Sequence, residues 1–288
     1  MLVNSGTIFW INEASPPAVT AINEDGSAPG YELPTVGVGT PGFVLFDSGA
    51  SAYVYWNDGA GSQILLFGPI GAFNIEQPIA FPTPGVSDVT ELNDEMYLAN
   101  TNAAGVLDVG PDGTYSNVSS PVYAGQEPIA IAVDSSSLYW TDLANGPGTG
   151  WISRAPLPVH GAAAGSVTHI ATNLSPVNLG RTLAVNATNA YVVTSVVSNS
   201  GRVEQVPLAG GIATPLSSTG NAVSVAADAT GVYWVDATLG KVLKVATGTT
   251  TIVTLASGQA IPNGEGGVAV DATGVYWATT TSVMALAK

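Results

Sequence analysis

Val232-Tyr233-Trp234-Val235-Asp236 is a short apolar run closed by an acid, and versions of it recur along the whole chain. Phe9-Trp10, Tyr55-Trp56, Tyr97-Leu98, Tyr139-Trp140, Tyr191-Val192 and Tyr276-Trp277 stand in the same register. With Tyr233 included, the first members of these pairs are 46, 42, 42, 52, 42 and 43 residues apart. A period of about 40 to 45 residues marks stacked units, none of which can bury its faces alone.

Around the quoted run the unit splits into four short apolar segments: Ala222 to Ala227, Val232 to Asp236, Val242 to Val245 and Thr251 to Leu255. The turn Asp228-Ala229-Thr230-Gly231 joins the first two, and alternation with turn residues reads the segments as antiparallel strands. The first segments are built from small residues, as in Ile129-Ala130-Ile131-Ala132-Val133, Leu183-Ala184-Val185 and Val268-Ala269-Val270. The aromatics sit on the second, where wedge-shaped units diverge from an axis and need volume. The expected fold is an all-β, seven-bladed β-propeller with four antiparallel strands per blade. Its last blade lacks the outermost strand, because Val283 to Leu286 is followed only by Ala287 and Lys288. One domain, 1–288, is expected, with blades near 1–40, 41–84, 85–126, 127–178, 179–220, 221–264 and 265–288.

Of the 288 residues 46% are hydrophobic and 9% charged, with 34 Gly and 19 Pro, a profile of many short strands and tight turns. The net charge of −15 argues against nucleic acid, whose phosphates need clustered cations. There is no cysteine, which removes disulfide and thiolate chemistry. No run approaches the ~20 apolar residues of a membrane span, and Met1-Leu2-Val3-Asn4 leads straight into a strand without a signal peptide. An extracellular, periplasmic or cell-surface location is expected, with the signal peptide absent from this sequence.

Five residues before the second-strand aromatic stand Asn4, Asp134, Asn186, Asp228 and Asp271. Recurrence favours an Asx side chain bonding the turn backbone over a ring of metal ligands. Ile131-Ala132-Val133-Asp134 through Leu138-Tyr139-Trp140-Thr141-Asp142 resembles the YWTD propeller repeat of the low-density lipoprotein receptor class, and more loosely NHL-type and virginiamycin-lyase-like bacterial propellers. The resemblance implies a propeller with its aromatic motif on the second strand. Receptor domains of that class have six blades flanked by cysteine-rich modules, which this cysteine-free chain of seven repeats does not match. A virginiamycin-lyase-like mechanism calls for histidines at the mouth, and the only histidines are His160 and His169 in the fourth repeat.

Residues just before the first strands lie at the central mouth and do not repeat: Asp88, Glu127, Arg181, Asn221 and Glu265 are the candidate ligand-binding positions. Arg181 stands out, because Arg154, Arg202, Lys241 and Lys244 occupy recurring third-strand positions and read as solvated. Asp58, Asp142 and Asp236 end second strands on the same face, where Ca²⁺ is the cation their oxygens would suit. No other cofactor is expected. The sequence favours a non-enzymatic binding propeller for a protein, peptide or glycan. The alternative is a metal-assisted or carboxylate-driven hydrolase or lyase using Glu127, Glu265 and Asp88. An open edge on the last blade would invite self-association.

Overall fold

The computed structural model of the chain describes residues 1–4, 7–12, 18–27, 31–33, 40–47, 52–57, 62–67, 75–81, 85–93, 95–102, 105–109, 123–124, 127–142, 148–158, 165–176, 181–195, 199–217, 219–263 and 267–288. Alternating β-branched and aromatic residues between Gly-, Asp- and Asn-rich turns form strands, which pair antiparallel in seven sheets. The first holds β1 (Leu2–Asn4), β2 (Thr7–Asn12), β3 (Ala18–Asn23) and β4 (Tyr31–Leu33), the second β5 (Thr40–Asp47), β6 (Ala52–Asn57), β7 (Ser62–Phe67) and β8 (Ile75–Phe81). The third holds β9 (Val86–Leu92), β10 (Glu95–Asn100), β11 (Gly105–Val109) and β12 (Tyr123–Ala124), the fourth β13 (Pro128–Val133), β14 (Ser137–Asp142), β15 (Gly150–Pro156) and β16 (Thr168–Leu174). The fifth holds β17 (Leu183–Val185), β18 (Asn189–Thr194), β19 (Arg202–Pro207) and β20 (Thr214–Pro215), and the sixth β21 (Ala222–Asp228), β22 (Gly231–Asp236), β23 (Lys241–Ala246) and β24 (Ile252–Ser257). The last has three strands, β25 (Val268–Val270), β26 (Gly274–Ala278) and β27 (Val283–Ala287).

Propeller packing shows in how successive sheets share apolar clusters. Because neighbours on a strand point to opposite faces, each Tyr-Trp pair works as a two-sided wedge. Trp140 joins Tyr97, Ala99 and Val106 of the preceding sheet, while Tyr139 joins Leu183, Ala190 and Val192 of the following one. Trp234 packs with Tyr191, Val193 and Val203, and Tyr233 with Val268, Val275 and Trp277. All four of these wedge rings are fully buried. Removing one leaves a hole between blades that costs about 3–5 kcal/mol.

These four clusters join five blades, β9–β12, β13–β16, β17–β20, β21–β24 and β25–β27. The expectation of seven equivalent four-stranded blades is corrected on this ground. Side chains of β5–β8 lie outside the described residues, as do many of β1–β4, so the described packing is that of a five-bladed body with about four strands per blade. The aromatic period counts strand pairs; interlocked blades are counted by shared cores, and the two counts differ here. Nor are the blades equal, since β12 and β20 span two residues each.

The last sheet meets the first. Strand β25 packs beside β1, a Cβ added at Gly267 would lie 3.2 Å from Met1 Cβ, and Thr273 Oγ1 donates to Glu24 Oε2 at 3.2 Å. Strand β27 pairs with β26 and, among the described residues, with no strand on its other side. No described helix is long and apolar enough to cross a membrane.

Candidate functional site at the propeller mouth

The turns between first and second strands settle the recurring acids as structural. Asp134 Oδ1 accepts from Ser136 N, Ser136 Oγ and Ser137 N at 2.7–2.9 Å, and Tyr139 OH donates to Oδ2 at 2.7 Å. Asn186 Oδ1 accepts likewise from Thr188 and Asn189 while its Nδ2 donates to Tyr191 OH, and Asp271 accepts from Thr273, Gly274 and Tyr276. At Asp228 the Tyr233 hydroxyl meets Thr230 Oγ1 at 2.7 Å. Burial alone would raise the Asp134 pKa, but donors from Tyr139 and Ser136 outweigh it and hold the carboxyl below its usual value. Burial first, and the Asp134 bond second, push Tyr139 up to about 12. The side chain of Asn4 lies outside the described residues.

At the opposite end the first strands start with an irregularity. Ser87, Ile129 and Val223 are each skipped in the register between first and second strands, giving β-bulges that turn the chain toward the axis. Arg181 holds the corresponding place before β17 and has a φ of 60°. The bulges carry bonds between blades. Ile131 N–H donates to Asp88 Oδ2 at 3.0 Å, Val225 N–H to Arg181 O at 3.1 Å, and Val268 N–H to Ser224 Oγ at 3.2 Å.

The structure brings two of the five candidates together. Asp88 is 1% exposed, with Oδ1 taken by Val89 N–H at 2.9 Å and Oδ2 by Ile131 N–H. Burial raises its pKa to about 6 against the pull of Arg181 and the two amides. Burial lowers the Arg181 pKa while Asp88 raises it, so each group lies in the other's field from non-adjacent blades. Arg181 Nε is shut off from solvent with no hydrogen-bond partner.

The other candidates go elsewhere. Glu127 is exposed and does not join the pair, and Glu265 and Asp58 lie outside the described residues. Asn221 is buried in an amide chain. Its Oδ1 accepts from Gly201 N–H at 2.8 Å, its Nδ2 donates to Asn263 Oδ1 at 2.7 Å, and Asn263 Nδ2 donates to Asn199 Oδ1 at 3.1 Å. Asp236 Oδ1 accepts from Asn221 N–H and Leu239 N–H, and Asp142 Oδ2 accepts from Ser153 Oγ, which also meets His169 Nδ1 at 3.1 Å. Oxygens committed to loop amides and hydroxyls leave less for a cation. Among the described residues no three of His, Cys, Asp and Glu gather to hold a metal ion.

Asn199 and Asn263 escaped the sequence reading because each lies in a loop without a repeat. Three of the third-strand cations have partners at the surface. Arg154 lies over Tyr139 at 5.8 Å and Lys244 over Tyr233 at 4.9 Å, while Arg202 pairs with Glu204 at 2.6 Å. Arg202 makes its ion pair while half-exposed.

No protein-family model matches the chain, and no curated protein matches it by sequence. Solved structures do resemble it in fold. A streptogramin B lyase superposes with a TM-score of 0.71 at 15% identity, covering 98% of this chain and 90% of that one. A virginiamycin B lyase from Staphylococcus aureus gives 0.67 at 15% identity over 99% and 92%. A nidogen/laminin complex gives 0.57 at 13% identity over 86% and 91%. Together with the stacked sheets, these likenesses place the chain among β-propellers.

Proposed function

We propose that this chain is a binding propeller of the exported or cell-surface kind, whose ligand sits at the central mouth where the innermost strands begin. One observation carries the reading: Arg181 brings a guanidinium with an unbonded Nε to that mouth, beside a buried carboxylate from another blade. At the other end of the blades, four described turns share one Asx arrangement, at Asp134, Asn186, Asp228 and Asp271, whose carboxylate or amide oxygens already accept from the turn. The likeness to a nidogen/laminin complex supports a macromolecular ligand, and a propeller fold serves such a role by presenting one concave face.

The test is a screen of the intact protein against peptide and glycan arrays, repeated with Arg181→Gln and Asn221→Ala. Saturable binding that both substitutions weaken supports the reading. Binding untouched by either substitution removes the mouth as the site. Turnover of a screened compound without saturable binding removes the binding role altogether.

A further inference from the structure

Register identifies what is special about Arg181. Ala99 pairs with Asp88, Thr141 with Ala130 and Val235 with Ser224, while Val193 N–H donates to Thr182 O and Ala278 N–H to Gly267 O. The residues one step earlier are therefore Ser87, Ile129, Arg181 and Val223. Ser87 Oγ binds Pro128 O at 2.7 Å, and Ile129 and Val223 are buried in the core. Ile129 fills the core with its side chain, and Ser87 and Val223 hold two sheets together through theirs. At Arg181 the backbone does so, through a carbonyl that accepts from Val225 N–H and from Ser224 Oγ at 3.4 Å.

The Arg181 side chain is left without that task, and the residue is costly in two further ways. Its φ of 60° is a region that a branched or long side chain enters only under strain. A buried donor with no partner forfeits its hydration. Asp88 does not relieve this: its oxygens accept from the Val89 and Ile131 N–H groups, and Arg181 Nε makes no bond to them. Glycine would hold the same backbone without strain.

We infer that Arg181 reads an anionic group on the ligand, a carboxylate or a phosphate, through the guanidinium face that the fold leaves unbonded. This rests on the mouth being the binding site. A planar guanidinium offers paired N–H donors that match such groups side-on, and burial shields the contact from competing water. The chain's overall charge of −15 repels anions at long range, so selection falls to this one short-range contact.

The experiment measures binding of N-acetyl-alanyl-alanine, its C-terminal amide, and inorganic phosphate to the native protein, Arg181→Gly and Arg181→Gln, by calorimetry and by melting temperature. The native protein should bind the free acid or phosphate about tenfold more tightly than the amide, the advantage of a charge-assisted bond. Preference for phosphate over the peptide acid identifies the source of the anion. Both substitutions should abolish the preference, while Arg181→Gly keeps or raises the melting temperature. Equal binding of acid and amide overturns the inference, and if Asn221→Ala then abolishes that binding, the mouth survives as a neutral site. No binding of any probe up to about 10 mM overturns both readings. A melting temperature lowered by Arg181→Gly makes the arginine structural and overturns the anion assignment alone.

Discussion

In the fourth sheet Asp134 gathers Ser136, Ser137 and Tyr139 around one carboxylate; Asp271 in the last sheet does the same with Thr273, Gly274 and Tyr276, and Asp228 in the sixth with Thr230 and Gly231. At the other end of the first strands the bulged or bulge-like residues are Ile129, Val223 and, in the fifth sheet, Arg181, two buried aliphatic side chains and one cation. The turn end is one solution repeated, with a local partner for each polar atom. At the mouth a backbone pattern repeats while the side chains diverge. Identical bonding at one end frees the other to vary, since register and blade spacing are already fixed by turn and wedge.

The largest expected effect strikes the mouth. Gly220 has a φ of 101°, and a Cβ there would lie 1.8 Å from Asp236 Oδ2. Gly220→Ala should therefore cost about 3 kcal/mol or more in urea unfolding, from strain plus displacement of a buried acid. A loss below about 1 kcal/mol would show that the mouth loops yield, and the contrast with a rigid turn end would fail.

Asp88 comes next. Its folded pKa of about 6 lies above the ordinary value near 4, so its contribution is present below pH ~4 and lost as pH rises toward ~6. Stability should fall by roughly 2–3 kcal/mol across that window from this group alone. Asp88→Asn should flatten the fall, and an unchanged pH profile in the variant would assign the slope to other groups.

The turn acids predict the opposite slope. Asp134, Asp228 and Asp271 have lowered pKa values despite burial, so what they contribute is present above the ordinary carboxylate range and disappears in acid. Asp134→Ala should cost about 1–2 kcal/mol at neutral pH, in the manner of a lost cap, and less at pH 3. An equal loss at both values would mean that the turn works by packing. Asn186 already stands where its neighbours have Asp, so Asn186→Asp should change stability by only a few tenths of a kcal/mol.

Glu24 sharpens the comparison at the smallest scale. Burial and a bond to Asp271 raise its pKa where the first sheet meets the last. Its contribution is present in acid and lost as pH rises, so Glu24→Gln should add a few tenths of a kcal/mol at neutral pH. Melting curves at pH 4 and pH 7 check this, and a gain confined to pH 4 would reverse the sign.

The turn end was legible in the sequence because every element of it is local. An Asx residue, a hydroxyl or glycine two to three places on and an aromatic at the fifth are enough to specify the bonding. Arg181 and Asp88 were legible for the opposite reason, as charges the period does not generate. Asn221 was found without its role, since Asn263 meets it from a distant loop of the same unit, Asn199 joins through Asn263, and no spacing rule links the three. The partners of Asp142 and Asp236 were not legible, because Ser153, Leu239 and the Asn221 amide are brought to them only by the folded loops. Blade number was misjudged because a recurring aromatic reports hydrogen-bonded strands, while interlocking depends on what the next sheet presents.

The three-stranded last sheet bears on the order in which the molecule comes apart. Half of the amides along β27 point away from β26, and no described strand accepts them. Met284 and Leu286 on that strand are 39% and 38% exposed, so less apolar burial resists its departure than at the wedge strands. Amide exchange should begin there and move inward through β26, reaching the wedge of Tyr276 and Trp277 before any other blade has opened. The seventh sheet is the place where unfolding starts, and the cluster it shares with Tyr233 is the first core to let in water.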